Sequence, residues 1–259
     1  MTESDNYLLG ILTKYRPHDL SIYEVYSIPE LKNRLKSWAV QYFNEIINSG
    51  SRAKGTAISI ASDVDYLISL SNDCPHSLKV IYDSLFSTLN SHYPNTRKQN
   101  VSVRVKISNI EVDITPARRL QGNTNDHNLY VSKLDTWRQT NIQKHINDIS
   151  QSGRLNEIKI LKIWRELHSL DFPSIYLEYL ITNTILWGKS KGDDYLANNV
   201  WHAINSLASN EANPLFSRVV DPANSTNILS DLLTTTEKNK IVAEAKISAS
   251  KQSWVEIVW

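Results

Sequence analysis

The chain has 259 residues, of which 41% are apolar and 21% are charged, and its formal net charge is +1. This composition is typical of a folded globular protein with a sizeable core and argues against intrinsic disorder. The near-neutral charge argues against a broadly basic surface that coats nucleic acid, so any cationic function must be local.

The single cysteine, Cys74, rules out an intrachain disulfide framework. Residues 1–5 are acidic and polar, whereas a signal peptide begins with a basic segment followed by an apolar one. No apolar run approaches the length of a membrane span. We therefore expect a cytoplasmic protein with no membrane partner.

A first amphipathic helix is predicted over residues 27–48. Residues 27–30 read Ser-Ile-Pro-Glu, the pattern of a capping box with proline in the first turn, and apolar residues then recur at helical spacing. Gly50 supplies the backbone freedom to leave this helix, and a strand follows. The predicted order is helix, Gly-Ser turn, strand.

Two aspartates are predicted to share one face of that strand. Side chains alternate along a strand, so Asp63 and Asp65 point the same way, a short distance after the Gly50-Ser51 turn. Carboxylates offer the hard oxygen ligands that Mg²⁺ prefers, and a Gly-Ser turn offers backbone N–H groups and a hydroxyl to phosphate. This combination indicates nucleotidyl transfer.

A second helix is predicted over residues 78–89, followed by two strands that meet near Asn109. Alternation over residues 110–114 places Glu111 and Asp113 on the polar face, and Thr115-Pro116 is expected to end the strand. Asp113 is thus a third carboxylate on a strand expected to lie beside the one that carries Asp63 and Asp65.

The second half of the chain is predicted to be mainly helical. Helical periodicity is found over residues 155–170, 174–187, 195–207 and 241–250. We therefore predict an α+β protein with a mixed catalytic lobe over residues 1–130 and a helical lobe over residues 131–259. No flexible linker separates the two, which favours closely packed lobes that form a cleft.

Each of these features has a simpler interpretation when taken alone. A lone Asp-x-Asp on a strand is usually solvated, and Gly-Ser is a frequent turn dipeptide. Three convergent carboxylates, however, would repel one another unless cations neutralised them, which favours a site for two metal ions. Arg52 and Lys54, which follow the turn, could face phosphate or lie on a solvated rim.

The residues resemble a known family at this point. Residues 50–58 (GSRAKGTAI) followed by 63–65 (DVD) resemble the catalytic strand of polymerase-β-type nucleotidyltransferases, and residues 111–118 (EVDITPAR) resemble the third-carboxylate strand of one branch. That branch contains oligoadenylate synthases, cyclic GMP-AMP synthase and the bacterial CD-NTases. It makes nucleotide second messengers.

The helical half carries the same resemblance. Residues 161–164 (LKIW) and 172–178 (FPSIYLE) resemble the segment in which a lysine and a serine of this branch contact the donor triphosphate, and residues 221–227 (DPANSTN) resemble its Asp-Pro-Ala-Asn loop. Lys162 and Ser174 are the matching positions. The resemblance implies a polymerase-β-like fold with a helical lobe, and nucleotide binding by Gly50, Ser51, Lys162 and Ser174.

The resemblance implies a synthase that makes a cyclic or linear oligonucleotide from nucleoside triphosphates and releases pyrophosphate. Asp63, Asp65 and Asp113 would be both catalytic residues and ligands of Mg²⁺, with Mn²⁺ as a possible substitute. For a bacterial member it also implies antiphage signalling and a separate effector protein that senses the product, with no obligatory nucleic acid. The alternatives are terminal nucleotide addition to tRNA or another RNA, and a catalytically silent nucleotide-binding module.

Overall fold

The computed structural model describes residues 1–18, 22–61, 63–122 and 124–259. These residues form two compact units, which we call the helical unit (Met1–Pro17, Gly55–Ser62 and Asn147–Trp259) and the sheet unit (His18–Lys54 and Asp63–Ile146). The predicted division into residues 1–130 and 131–259 is continuous in sequence, whereas each of these units is built from separate stretches of the chain.

Seven strands of the described chain form one mixed sheet in the sheet unit. They are β1 (Phe43–Ser49), β2 (Val64–Leu70), β3 (Arg97–Lys98), β4 (Val103–Ile107), β5 (Ile110–Arg119), β6 (His127–Val131) and β7 (Thr136–Thr140). The strand order is β1-β2-β5-β4-β3, and β6 and β7 continue from β5. β2 and β5 run parallel, and the other pairs run antiparallel.

Helices cover this sheet and bury its apolar side chains. They are α2 (Ile22–Ala39), α3 (Gly50–Lys54), α4 (Leu78–Asn90) and α5 (Ile142–Ser150), of which α5 spans the point where the chain passes into the helical unit. Leu35 of α2 and Leu85 of α4 are fully buried with strand residues such as Val112. The prediction of a helix over residues 78–89 is confirmed by α4.

The predicted helix over residues 27–48 is wrong in its second half. α2 ends at Ala39, Val40 adopts a left-handed φ of 47°, and the chain then enters β1. The apolar residues of this segment fit a helical period, but pairing with β2 gives the backbone of residues 43–49 its hydrogen bonds. Gly50 therefore follows a strand and begins the short helix α3, not a direct turn into β2.

The predicted pair of strands around Asn109 is confirmed, but Thr115-Pro116 does not end the second one. β5 continues to Arg119. On the side of β5 that faces β4 and β6, Pro116 lies between the two paired regions, because pairing with β4 stops at Ile114 and pairing with β6 starts at Ala117. A residue without an N–H is tolerated at such a position of a sheet.

The helical unit contains α1 (Glu3–Lys14), α6 (Leu155–Leu167), α7 (Ser174–Leu180), α8 (Leu196–Ala208), α9 (Thr235–Ala249) and the short hairpin of β8 (Val220–Asp221) and β9 (Asn224–Ile228). Trp164 lies fully buried at its centre and donates a hydrogen bond from Nε1 to Ser248 Oγ at 2.9 Å. The four helices predicted in this half are confirmed with shifted ends. Sequence reasoning missed α1, although the Thr2 and Asp5 side chains form a capping box there.

Candidate active site

The predicted carboxylates lie in one row across the sheet. Asp65 of β2 pairs with Asp113 of β5, and Asp113 also pairs with Arg104 of β4. The row continues to Ser49 of β1 beyond Asp65, and to Arg97 of β3 beyond Arg104. Paired residues of adjacent strands project from the same face of a sheet, so acidic and basic side chains meet in this row.

Asp63 precedes the first residue of β2 and reaches the same group of side chains. It was predicted to lie on the strand, but β2 begins at Val64. Its Oδ2 lies 2.6 Å from Nη2 of Arg104, which also contacts Oδ2 of Asp113 at 2.7 Å. The structure thus brings Asp63 and Asp113 to one guanidinium group, and it places Asp65 beside Asp113 in the sheet.

Arg104 is the functional residue that sequence reasoning missed. Besides the two contacts of Nη2, its Nε donates to Asp113 Oδ1 at 2.8 Å and its Nη1 donates to Glu111 Oε2 at 2.5 Å. Arg97 binds the other oxygen of Glu111, also at 2.5 Å. A two-residue turn at residues 108–109 sets the register in which Arg104 pairs with Asp113. The predicted hairpin therefore already indicated that Arg104 lies beside Asp113.

Burial and mutual repulsion raise the pKa of Asp63 and of Asp65. The pKa of Asp65 is raised to about 6, first by burial and then by the charges of Asp113 and Asp63. Burial also raises the pKa of Asp63, although the Arg104 charge opposes this. Hydrogen bonds to Asp113 raise the pKa of Arg104 further above its ordinary value. When ionised, the three aspartates carry more negative charge than Arg104 alone neutralises.

Gly50 brings the backbone against Asp65. Its φ is +67°, and a Cβ at this position would lie only 1.8 Å from Asp65 Oδ2. Glycine is therefore required both by the left-handed conformation and by the close approach. Ser51 follows in α3 and is partly buried. The predicted neighbourhood of the Gly-Ser segment and an aspartate is thus present within the sheet unit.

Of the two cations after the turn, Lys54 lies away from solvent, whereas Arg52 keeps part of its surface exposed. Lys54 is buried, and its charge favours the ionised form of Asp65. Arg52 is partly buried, and its Nη2 lies 3.4 Å from the carbonyl oxygen of His18.

Lys162 lies in a buried polar cluster of the helical unit. Its side chain is 1% exposed, and its Nζ lies 3.6 Å from Glu178 Oε1 and 3.4 Å from Thr56 Oγ1. Thr56 Oγ1 in turn donates to Glu178 Oε1 at 2.9 Å. Sequence reasoning did not identify Thr56 or Glu178 as partners of this lysine. Its predicted role in nucleotide binding stays a prediction.

Ser174 and the Asp-Pro-Ala-Asn segment also have local partners in the helical unit. Ser174 begins α7, and its Oγ accepts a hydrogen bond from Arg165 Nη1 at 3.0 Å. Asp221 is buried, accepts from Ala223 N at 2.9 Å and from Asn227 Nδ2 at 3.2 Å, and so stabilises the β8–β9 turn. The role of Ser174 in nucleotide binding likewise stays a prediction.

The donor chemistry of Asp63, Asp65 and Asp113 fits a hard divalent cation. All three offer carboxylate oxygens, and Arg104 already provides a positive charge that Asp63 and Asp113 share. Within residues 1–18, 22–61, 63–122 and 124–259, no group of three or more His, Cys, Asp or Glu side chains is assembled to hold a metal ion.

Comparison with known families agrees with this geometry. The model of the Second Messenger Oligonucleotide or Dinucleotide Synthetase domain matches residues 23–152, about half of the chain. The chain belongs to this family. The match to this synthetase family contains the entire acidic and basic row, from Ser49 to Asp113.

A curated relative of the synthetase family is the cyclic AMP-AMP-AMP synthase of Escherichia coli strain MS 115-1. It is 26% identical over an alignment of 175 positions, and the match covers 60% of this chain and 54% of the relative. The chain thus spans about half the length of the curated relative that it matches.

Solved structures of the synthetase family share the fold. CdnG of Bradyrhizobium diazoefficiens in complex with GTP has a TM-score of 0.73 and 12% identity, covering 96% of this chain and 91% of that one. CdnC of E. coli MS115-1 with ATP has a TM-score of 0.68 and 20% identity, covering 95% and 90%. The predicted polymerase-β-like α+β fold is therefore confirmed.

In the portion of the chain that the structure describes, no helix combines the length and the apolar character needed to cross a bilayer.

Proposed function

We propose that this chain is a metal-dependent nucleotidyltransferase that joins nucleoside triphosphates into a cyclic or linear oligonucleotide and releases pyrophosphate. The observation that carries the proposal is the pairing of Asp65 with Asp113 on adjacent parallel strands, with Asp63 bound to the same arginine as Asp113. Membership of the synthetase family supports it.

Asp63, Asp65 and Asp113 would hold Mg²⁺ or Mn²⁺. Bound divalent cations lower the pKa of an acceptor hydroxyl and neutralise charge on phosphate oxygens. Asp113 lies at the centre of the row. Its carboxylate would hold negative charge at a fixed position beside the acceptor hydroxyl and so orient that hydroxyl. The three carboxylates form the catalytic set, and no covalent intermediate with the protein is required.

The Gly50-Ser51 segment would bind phosphate oxygens of the donor nucleotide. The close approach of the Gly50 backbone to Asp65 supports this role, since it brings a segment that carries peptide N–H groups and the Ser51 hydroxyl against one of the carboxylates. Such groups are suited to anionic oxygens because they donate hydrogen bonds without bringing negative charge. Lys162 and Ser174 are included in the proposal as further nucleotide-binding residues.

The substrates are nucleoside triphosphates, with ATP as the first candidate because a related synthase is named for an AMP-containing product. GTP, CTP and UTP are further candidates. We place the reaction in bacterial antiphage signalling, where a separate effector protein senses the product. This context rests on the family and assigns no obligatory nucleic acid to the enzyme.

The experiment that tests this function incubates the purified protein with labelled ATP, GTP, CTP and UTP and with Mg²⁺ or Mn²⁺. Products are treated with phosphatase and resolved by chromatography and mass spectrometry. We expect an oligonucleotide that the Asp63→Ala/Asp65→Ala double variant does not make. Asp83→Asn is the matched control, because Asp83 pairs with Lys98 away from the row.

Two results would overturn the proposal. Labelling of added RNA with no product from triphosphates alone would identify a terminal nucleotidyltransferase of RNA. Tight nucleotide binding with no product under either condition would identify a silent binding module.

A further inference from the structure

The guanidinium of Arg104 occupies the space between two of the proposed metal ligands. Its Nη2 lies 2.6 Å from Asp63 Oδ2 and 2.7 Å from Asp113 Oδ2, and its Nε engages the other oxygen of Asp113 at 2.8 Å. We propose that Arg104 is a positioning residue. In the metal-free protein its guanidinium group holds these two carboxylates in place, and it releases them when a divalent cation binds. This inference rests on the proposed function.

The contacts of Arg104 with Asp113 are of the strong kind. They form a bidentate, charge-assisted pair, and the Asp113 side chain is 15% exposed. A cation that bridges Asp63 and Asp113 requires the same oxygen atoms and the same space as Nη2. The divalent cation and Arg104 therefore compete for the same oxygen atoms. Without nucleotide, the metal ion binds more weakly than it would bind to the three carboxylates in the absence of Arg104.

Glu111 can bind the side chain of Arg104 after the metal ion has displaced it. Its Oε2 accepts from Arg104 Nη1 at 2.5 Å, while its Oε1 accepts from Arg97 Nη2 at 2.5 Å. Glu111 is 34% exposed and is not among the proposed metal ligands. Arg104 can give up Nη2 and Nε contacts and keep the Nη1 contact, because rotation of its long side chain moves the guanidinium towards Glu111.

The consequence is coupling between metal and nucleotide. When a cation arrives with a triphosphate, the phosphate oxygens supply negative charge that compensates the released guanidinium. When a cation arrives alone, it must displace Arg104 without this compensation. Arg104 thus makes the site load the metal and the triphosphate together.

The test measures Mn²⁺ affinity of the intact chain in the absence of nucleotide, by electron paramagnetic resonance of free Mn²⁺. Removal of the competing cation in Arg104→Met should tighten binding roughly tenfold, which corresponds to about 1.4 kcal/mol. Arg97→Met is the matched control, since Arg97 lies in the same row and contacts Glu111. The Mn²⁺ affinity of this variant should stay within about twofold of the wild type. Arg104→Lys, which keeps the charge without the bridging fork, should lie between the wild type and Arg104→Met.

A second readout separates this role from a structural one. In EDTA, Arg104→Met should melt at a lower temperature than the wild type, because the carboxylates lose their resident cation. Saturating Mn²⁺ should then raise its melting temperature by more than it raises that of the wild type. Arg104→Lys carries both measurements if Arg104→Met does not fold.

The outcomes distinguish this inference from the function on which it rests. Equal or weaker Mn²⁺ binding by Arg104→Met overturns the inference about Arg104 and leaves the nucleotidyltransferase proposal standing. No Mn²⁺ binding by any variant, even with a non-hydrolysable ATP analogue, overturns the metal site itself and with it the proposed function.

Discussion

Two charged clusters of this molecule, one in each unit, differ in structure. In the sheet unit, Asp63 and Asp113 bind Arg104, Asp65 lies beside Asp113, and all three aspartates remain partly accessible to solvent. In the helical unit, Lys162 and Glu178 are 1% and 0% exposed and form a pair with opposite charges. One cluster has an excess of negative charge, whereas the other is balanced.

We interpret the first cluster as the proposed cation site and the second as a pair that also stabilises the fold. Excess carboxylate charge costs folding free energy unless a positive ligand offsets it, so its retention indicates a function. A balanced buried pair fixes the packing of its neighbours, although a hydrophobic pair of similar size is often equally stable. The variants below test whether the two clusters differ in this way.

The largest effect is expected for Asp113→Asn. This change keeps the size of the side chain but removes the charge at the centre of the row, and product formation should fall at least about 10³-fold, or ~4 kcal/mol in the activation barrier. Binding of the triphosphate should change much less. Initial rates and equilibrium binding, measured on the same preparation, check this split, and a variant that keeps wild-type turnover would remove Asp113 from the catalytic set.

Glu178→Ala should destabilise the protein by about 3 kcal/mol, because the Lys162 ammonium stays buried without its carboxylate. Lys162→Met/Glu178→Leu should recover most of this loss. Urea unfolding gives both values, with Glu256→Ala as the control, since Glu256 is 45% exposed in its pair with Lys251 and its loss should cost little. Unchanged stability of Glu178→Ala would erase the contrast between the clusters, whereas the triphosphate affinity of Lys162→Met separately tests the proposed role of Lys162 in nucleotide binding.

Gly50→Ala should cost about 2 kcal/mol of stability, because φ at residue 50 is +67° and the added Cβ overlaps Asp65. The displaced carboxylate should also slow product formation. Gly122→Ala is the matched control, because Gly122 has φ +97° but nothing lies within 4 Å of a Cβ there. Equal loss of activity in both variants would show that backbone strain, and not the contact with Asp65, is responsible.

The stability of the metal-free protein should depend on the ionisation of Asp65. Its folded pKa of about 6 lies above the ordinary value of 3.8, so its contribution to stability is present at low pH and is lost as pH rises through about 6. In EDTA, Asp65→Asn should gain about 2 kcal/mol relative to the wild type between roughly pH 4.5 and pH 7.5. Urea unfolding at both pH values measures this gain, and an unchanged difference would mean that Asp65 ionises freely.

Sequence patterns could predict most of the acidic row. Alternation placed Asp113 on the polar face of its strand and the turn near Asn109 fixed the hairpin, from which Arg104 follows by counting back from Asp113. The pairing of β2 with β5 joins residues far apart in sequence. Local patterns could only indicate that these two strands are neighbours. The carboxylates were therefore identified from the sequence, whereas Arg104 was missed because the hairpin register that places it beside Asp113 was not used.

Other features could not be inferred because two periodicities fit the same residues. The apolar residues of the 43–49 segment suit both a helix and a strand, and the pairing with β2 decides the outcome. The burial of Lys162 depends on Glu178 and Thr56, which lie far from it in sequence and carry no local signal of contact. A lysine that suggested phosphate binding therefore has a partner that only the folded chain reveals.

The most direct test of the acidic row is a crystal structure with Mn²⁺ and a non-hydrolysable triphosphate, in which anomalous scattering locates the metal. We predict Mn²⁺ bound to oxygens of Asp63, Asp65 and Asp113, at about 2.0–2.3 Å, with Arg104 shifted to Glu111. Manganese bound elsewhere, with Arg104 still between Asp63 and Asp113, would contradict the assignment of these carboxylates as the catalytic centre.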